Sequence, residues 1–108
     1  MTRSIVMGVF LLVGLASVAS AQDKAKGEAI FTAQKCSMCH SIAGKGNAKG
    51  ALDDVGSTLK VDEIRAWITD PKGMAAKSGA TRKPEMKIYS LPKEDVDNLV
   101  AYLQTLKK

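Results

Sequence analysis

The chain has 108 residues, with 16 Lys or Arg against 11 Asp or Glu, a net charge of +5, two Cys and one His. That length fits one domain, and two thiols plus one imidazole fall short of the roughly four ligands of a zinc site. The basic balance is a poor argument for nucleic acid, because the N-terminal stretch directs the protein out of the cytoplasm.

That stretch is MTRSIVMGVFLLVGLASVASA, with basic Arg3, an apolar run over 5–15 and small residues at Ala19 and Ala21. It reads as a secretory signal, residues 1–21, cleaved after Ala21 to leave a domain over 22–108. The alternative is a retained membrane anchor, but the apolar run is shorter than the ~20 residues that span a bilayer. No Cys follows the run to carry a lipid. The mature chain keeps 15 basic and 11 acidic residues, a net +4, and only four aromatic residues: Phe31, Trp67, Tyr89 and Tyr102. A domain so small hides about 60–65% of its unfolded surface and needs a staple.

Residues 23–35 contain no Pro and place Gly27, Ile30, Phe31 and Gln34 at i, i+3, i+4 and i+7. Asp23 and Glu28 stand near the start, where the helix dipole favours anions, so a helix is predicted to run into Cys36. Gly27 is costly inside a helix. Close approach by another helix would explain it; a frayed end is the plainer alternative.

The stretch CSMCH follows, Cys36 to His40. On a helical turn, residues at i, i+3 and i+4 share a face. Cys36 and Cys39 are thus placed to add to the two vinyl groups of one haem, with the His40 imidazole directed at its iron, the c-type attachment pattern. A thioredoxin-like C-x-x-C would be expected beside a strand in a βαβ unit, and no β-like alternation precedes Cys36. A disulfide across four residues would close too small a loop to stabilise much. One covalent haem therefore serves as the staple and as much of the core.

Residues 41–57 hold glycines at 44, 46, 50 and 56 without helical period and read as loop. Such a loop offers a backbone carbonyl to the His40 Nδ1 proton, from Ala51 or a neighbour. Residues 61–69, VDEIRAWIT, return to helical spacing, and Pro71 is predicted to end that helix. Trp67 reads as a packing residue, with its indole N–H within possible reach of a haem propionate. The segment from 71 to 93 reads as irregular and basic.

That segment contains two candidates for a second axial ligand, Met74 and Met86, since Met38 lies inside the motif. His40 is the only histidine, so the chain has no second imidazole to offer. Thioether ligation opposite His raises the reduction potential. Met86 is favoured because Pro84 restrains its backbone; the remaining alternative is that both are packing residues and the sixth position is open. A last helix is predicted over 92–106, with the stripe Val96, Leu99, Val100, Leu103 and Leu106 and acidic Glu94, Asp95 and Asp97 near its start.

Four stretches, GEAIFTAQKCSMCH, KGNAKGALDDVGS, WITDP and PEMKIYSLPKEDVDNLVAYLQTL, together cover nearly the whole mature chain. Through them it resembles the small monohaem class I cytochromes c of bacteria. The resemblance implies an all-α fold, three main helices and long loops wrapped around one covalent haem c, with Gly27 and Phe31 meeting Leu99 and Tyr102 where first and last helices cross. It also implies thioethers at Cys36 and Cys39, and His40 and Met86 as the axial ligands. This chain departs from many relatives in having Ala51 where they have Pro, and Lys87 where they have Pro after the ligand Met.

With both axial positions filled by protein, iron has no room for substrate, and no nucleophile is paired with a base. The expected function is therefore a soluble, monomeric, non-enzymatic electron shuttle in the periplasm. Lys72, Lys77, Arg82, Lys83 and Lys87 crowd the Met86 region and are expected to steer the haem edge to an acidic redox partner. A generally solvated basic surface is the alternative. A ligand-binding or peroxidatic haem protein would need an open sixth site, and a dithiol oxidoreductase would need free thiols and no haem.

Overall fold

The computed structural model describes residues 23–107, so the signal reading over 1–21 and the domain start at 22 lie outside the described residues. Helix α1, Lys24–Ala33, begins where Asp23 Oδ1 accepts the Lys26 N–H at 3.1 Å, which satisfies one of the free donors of the first turn. Lys35 then takes a left-handed conformation, φ 56°, which breaks the helix before the motif. The chain restarts as a 3₁₀ turn over Cys36–Met38.

Residues 41–57, read as plain loop, are more ordered than that. Ser41–Ile42 (β1) and Lys45–Gly46 (β2) pair antiparallel across Ala43 and Gly44. Both turn residues have positive φ, 53° and 81°, as a two-residue hairpin turn requires. Ala43 has no intrinsic preference for that region, and its N–H donates to Asp53 Oδ1 at 2.6 Å. A second 3₁₀ turn, Ala48–Gly50, and a short helix α2, Val55–Thr58, complete the stretch. The glycines mark turns within structure, where periodicity is silent.

Helix α3, Val61–Thr69, keeps its expected span, with Glu63 Oε1 accepting the Lys60 N–H at 2.9 Å. The irregular reading of residues 71–93 is corrected at its beginning: Pro71–Ser78 form helix α4. Pro71 both stops α3 and starts α4, since proline lacks only an N–H that is unused in the first turn. Asp70 Oδ1 accepts the Gly73 N–H at 3.1 Å and caps the new helix. Beyond Gly79, at φ 74°, the chain has no regular element until α5, Lys93–Gln104, which is shorter than the predicted 92–106.

The fold is all-helical apart from the hairpin, and α1, α3 and α5 supply its core of Phe31, Ile64, Ile68, Val96, Leu99, Val100 and Leu103. Burying each such side chain contributes about 1.5–3 kcal/mol. At the crossing of α1 and α5 Gly27 presses on the carbonyl of Asn98 and on Tyr102 Cβ, with no space for a side chain. The helix-contact explanation of Gly27 therefore holds, with the Asn98 backbone the nearest part of α5 and Tyr102 beside it. Phe31 meets Tyr102 edge to face, centroids 6.0 Å apart.

Two polar residues of α5 are buried, Asn98 toward the start of α1 and Asp97 toward α3. Asn98, 2% exposed, accepts the Asp23 N–H through Oδ1 at 2.8 Å, tying the start of α1 to α5. Asp97 faces Arg65 of α3 and Lys93 of its own helix at 2.5 and 2.9 Å. At the far end, the Gly56 N–H donates to the Leu106 carbonyl at 2.7 Å. Among the described residues, no helix is long and apolar enough to cross a membrane.

Candidate haem site

The core residues Phe31, Leu99 and Leu103 form one wall of an apolar cavity of about 160 Å³. Cys36, His40, Met86, Tyr89 and Trp67 also line it. A second cavity, about 190 Å³, lies beside it and shares His40, Trp67 and Met86, adding Cys39, the cations Lys72 and Arg82 and the carboxylate of Glu85. The two spaces together are apolar within and basic at one margin.

The 3₁₀ turn presents both motif thiols, half-buried and unbridged. Burial pushes the Cys36 thiol above its ordinary range, against the opposing pull of a backbone hydrogen bond and of Lys87. His40 follows as the chain leaves this turn, its N–H bonded to the Cys36 carbonyl at 3.0 Å. Its Nδ1 lies 2.9 Å from the carbonyl oxygen of Gly50. A carbonyl only accepts, so Nδ1 carries the proton and Nε2 keeps its lone pair for a metal. The acceptor is thus Gly50, one residue before the suggested Ala51. Burial lowers the His40 pKa; the Gly50 bond opposes this and the Arg82 cation adds to it. The imidazole is neutral, as a ligand must be.

Met86 and Met74 are separated by the fold. Met86 borders both cavities together with His40. Met74 sits on α4 in a different depression, beside Asp62, Glu63 and Lys77. Trp67 borders the cavities from α3, while Tyr89, three residues beyond Met86, has its hydroxyl pKa raised by burial and then by the neighbouring thiols. No sequence pattern marks Gly50 and Arg82 as contacts of His40; the only signal is the position of Gly50 in a glycine-rich run.

The residues present fit a covalently tethered macrocycle: two addressable thiols, one imidazole with its outer nitrogen already committed, and an apolar space ending in cations. The five predicted rim cations do not behave alike. Lys83 pairs with Glu85 at 2.7 Å, holding that carboxyl below its usual range. Lys87 lies 5.3 Å from the centre of the Tyr89 ring, and Arg82 donates to the Cys39 carbonyl.

Residues 24–107 match the sequence profile of the family described as Cytochrome c. The cytochrome c2 of Pararhodospirillum photometricum is 32% identical over 114 aligned positions, which cover 81% of this chain and 100% of that protein. The cytochrome c2 of Blastochloris viridis is 40% identical over 57 positions, 53% of this chain and 39% of that protein. The cytochrome c oxidase subunit 2 of Alkalihalophilus pseudofirmus is 29% identical over 91 positions, 76% of this chain but only 25% of that protein. The chain therefore spans a quarter of the oxidase subunit's length. No solved structure matches it significantly.

Proposed function

The chain belongs to the cytochrome c family, is an electron carrier with covalent haem c, and on that premise we propose that His40 and Met86 are the axial ligands of its iron. When bound, the haem supplies one-electron exchange between ferric and ferrous iron. Cys36 and Cys39 would hold it through two thioethers. The Gly50 carbonyl fixes the His40 ring and raises its basicity, and the Met86 thioether favours the reduced state. Two protein ligands retained in both oxidation states leave no open position for a substrate, so the chain's contribution is to position, bury and tune.

The observation that carries this reading is that His40 and Met86 border one apolar space whereas Met74 lies elsewhere. Absorption spectra of the purified holoprotein test it. Met86→Ala should abolish the weak near-infrared charge-transfer band of thioether-ligated ferric haem and admit carbon monoxide, whereas Met74→Ala should change neither. A Met86→Ala protein with the wild-type band would overturn it. Intact mass of protein released from the periplasmic fraction, expected to begin at Gln22 and carry one haem, tests export and cleavage of a signal over 1–21, and its elution volume in size-exclusion chromatography tests the monomer.

The partner we propose is a redox protein with an acidic docking face. Lys72 and Arg82 border the second cavity, while Met38 and Ile88 leave 69% and 61% of their surface exposed near the motif and beside Lys87. Exposed apolar side chains and nearby cations suit brief docking steered by long-range attraction. Electron-transfer rate should fall as ionic strength rises; a rate indifferent to salt would remove the steering.

A further inference from the structure

Residues 81–91 carry Met86 without regular structure, and among the described residues they make two side-chain hydrogen bonds. One, Lys83 to Glu85, stays within the segment. The other reaches 43 positions back, where Arg82 Nη2 donates to the Cys39 carbonyl at 2.6 Å. The same guanidinium closes on Gly50. A Cβ at that glycine would strike Arg82 Nη1 and the Cys39 carbonyl and lie 2.9 Å from His40 Nδ1. One side chain thus touches the attachment motif and the residue whose carbonyl receives the His40 proton.

We propose that Arg82 is a positioning residue that buckles the Met86 segment to the His40 side of the site, and that its fixed charge favours the reduced protein. This rests on the reading of His40 and Met86 as ligands. A guanidinium presents its donors in a rigid planar fork, so one nitrogen bonds the Cys39 carbonyl while the other lies over Gly50. Lysine keeps the charge but not the fork. A cation close to the imidazole opposes any gain of positive charge at the iron, so its removal lowers the reduction potential; exposure to solvent attenuates the effect without reversing it.

The test compares wild-type, Arg82→Lys and Arg82→Gln holoproteins by reduction potential, and by two denaturant midpoints, the near-infrared thioether band and far-UV helicity. Arg82→Gln should have a lower potential and lose the band at a lower denaturant concentration, with the helicity midpoint unmoved. Arg82→Lys should keep most of the potential yet lose the band early. An unchanged potential together with an unchanged band midpoint in Arg82→Gln would overturn the proposal. So would band and helicity falling together, the mark of a merely structural residue. A wild-type protein without the band would instead overturn Met86 ligation, which separates the two failures.

Discussion

The α1–α5 crossing and the segment over 81–91 border the same cavity and are held by different means. The crossing is closely shape-fitted: Gly27 against the Asn98 carbonyl, Phe31 against Tyr102, and Asn98 bonded to Asp23. The Met86 segment is mostly exposed, with Met86, Tyr89 and Leu91 facing inward and one hydrogen bond to the motif. Stability is therefore concentrated in the crossing, whereas the proposed ligand Met86 lies in the less firmly held segment. A carrier built this way permits adjustment of the iron's surroundings without risk to the framework.

The largest effect on stability is expected where fit is tightest. Gly27→Ala puts a Cβ into backbone that cannot move aside, and should lower unfolding free energy by about 2–3 kcal/mol, measured by denaturation of the holoprotein. A midpoint equal to wild type would remove the crossing from its central place. Met86→Ala truncates a half-buried side chain and should cost about 1 kcal/mol in helix unfolding, although on the proposed ligation it should transform the spectrum; equal losses from the two variants would erase the contrast drawn between the regions.

The smallest effect appears only in acid. The Asp97 carboxyl is held below its ordinary value by the hydrogen bonds from Lys93 and Arg65. Its folded pKa is depressed below the unfolded one, so its contribution is present above the ordinary carboxylate range and is lost as pH falls through the folded value. Stability of wild type should decline below about pH 4 more steeply than that of Asp97→Asn. Parallel curves would show that the Arg65–Asp97–Lys93 cluster does not couple protons to folding.

Much of this is readable in sequence because the relevant signals are local. CSMCH specifies its own turn, and the apolar spacing of α3 and α5 reflects which face is buried. The start of α4 is hidden because Asp70-Pro71 signals a stop, although the same pair suits a cap and a first helical residue. The hairpin at 41–46 is masked by glycines that break periodicity while supporting the turn. Asn98 and Asp97 look like exposed polar positions in α5; their burial depends on Asp23 and Arg65, distant in sequence. The contact of Arg82 with the motif has the same character, and no pattern within residues 80–90 announces it.

The bond from Gly56 to the Leu106 carbonyl and that from Asp23 to Asn98 tie the start of α1 and the stretch after α5 to the rest of the fold. A protease gains little purchase on backbone stitched down in this way. Cutting is expected to begin instead in the exposed, irregular stretch around Lys83 and Ile88, so a nick that spares every helix would still separate the proposed ligand Met86 from part of the chain that holds it.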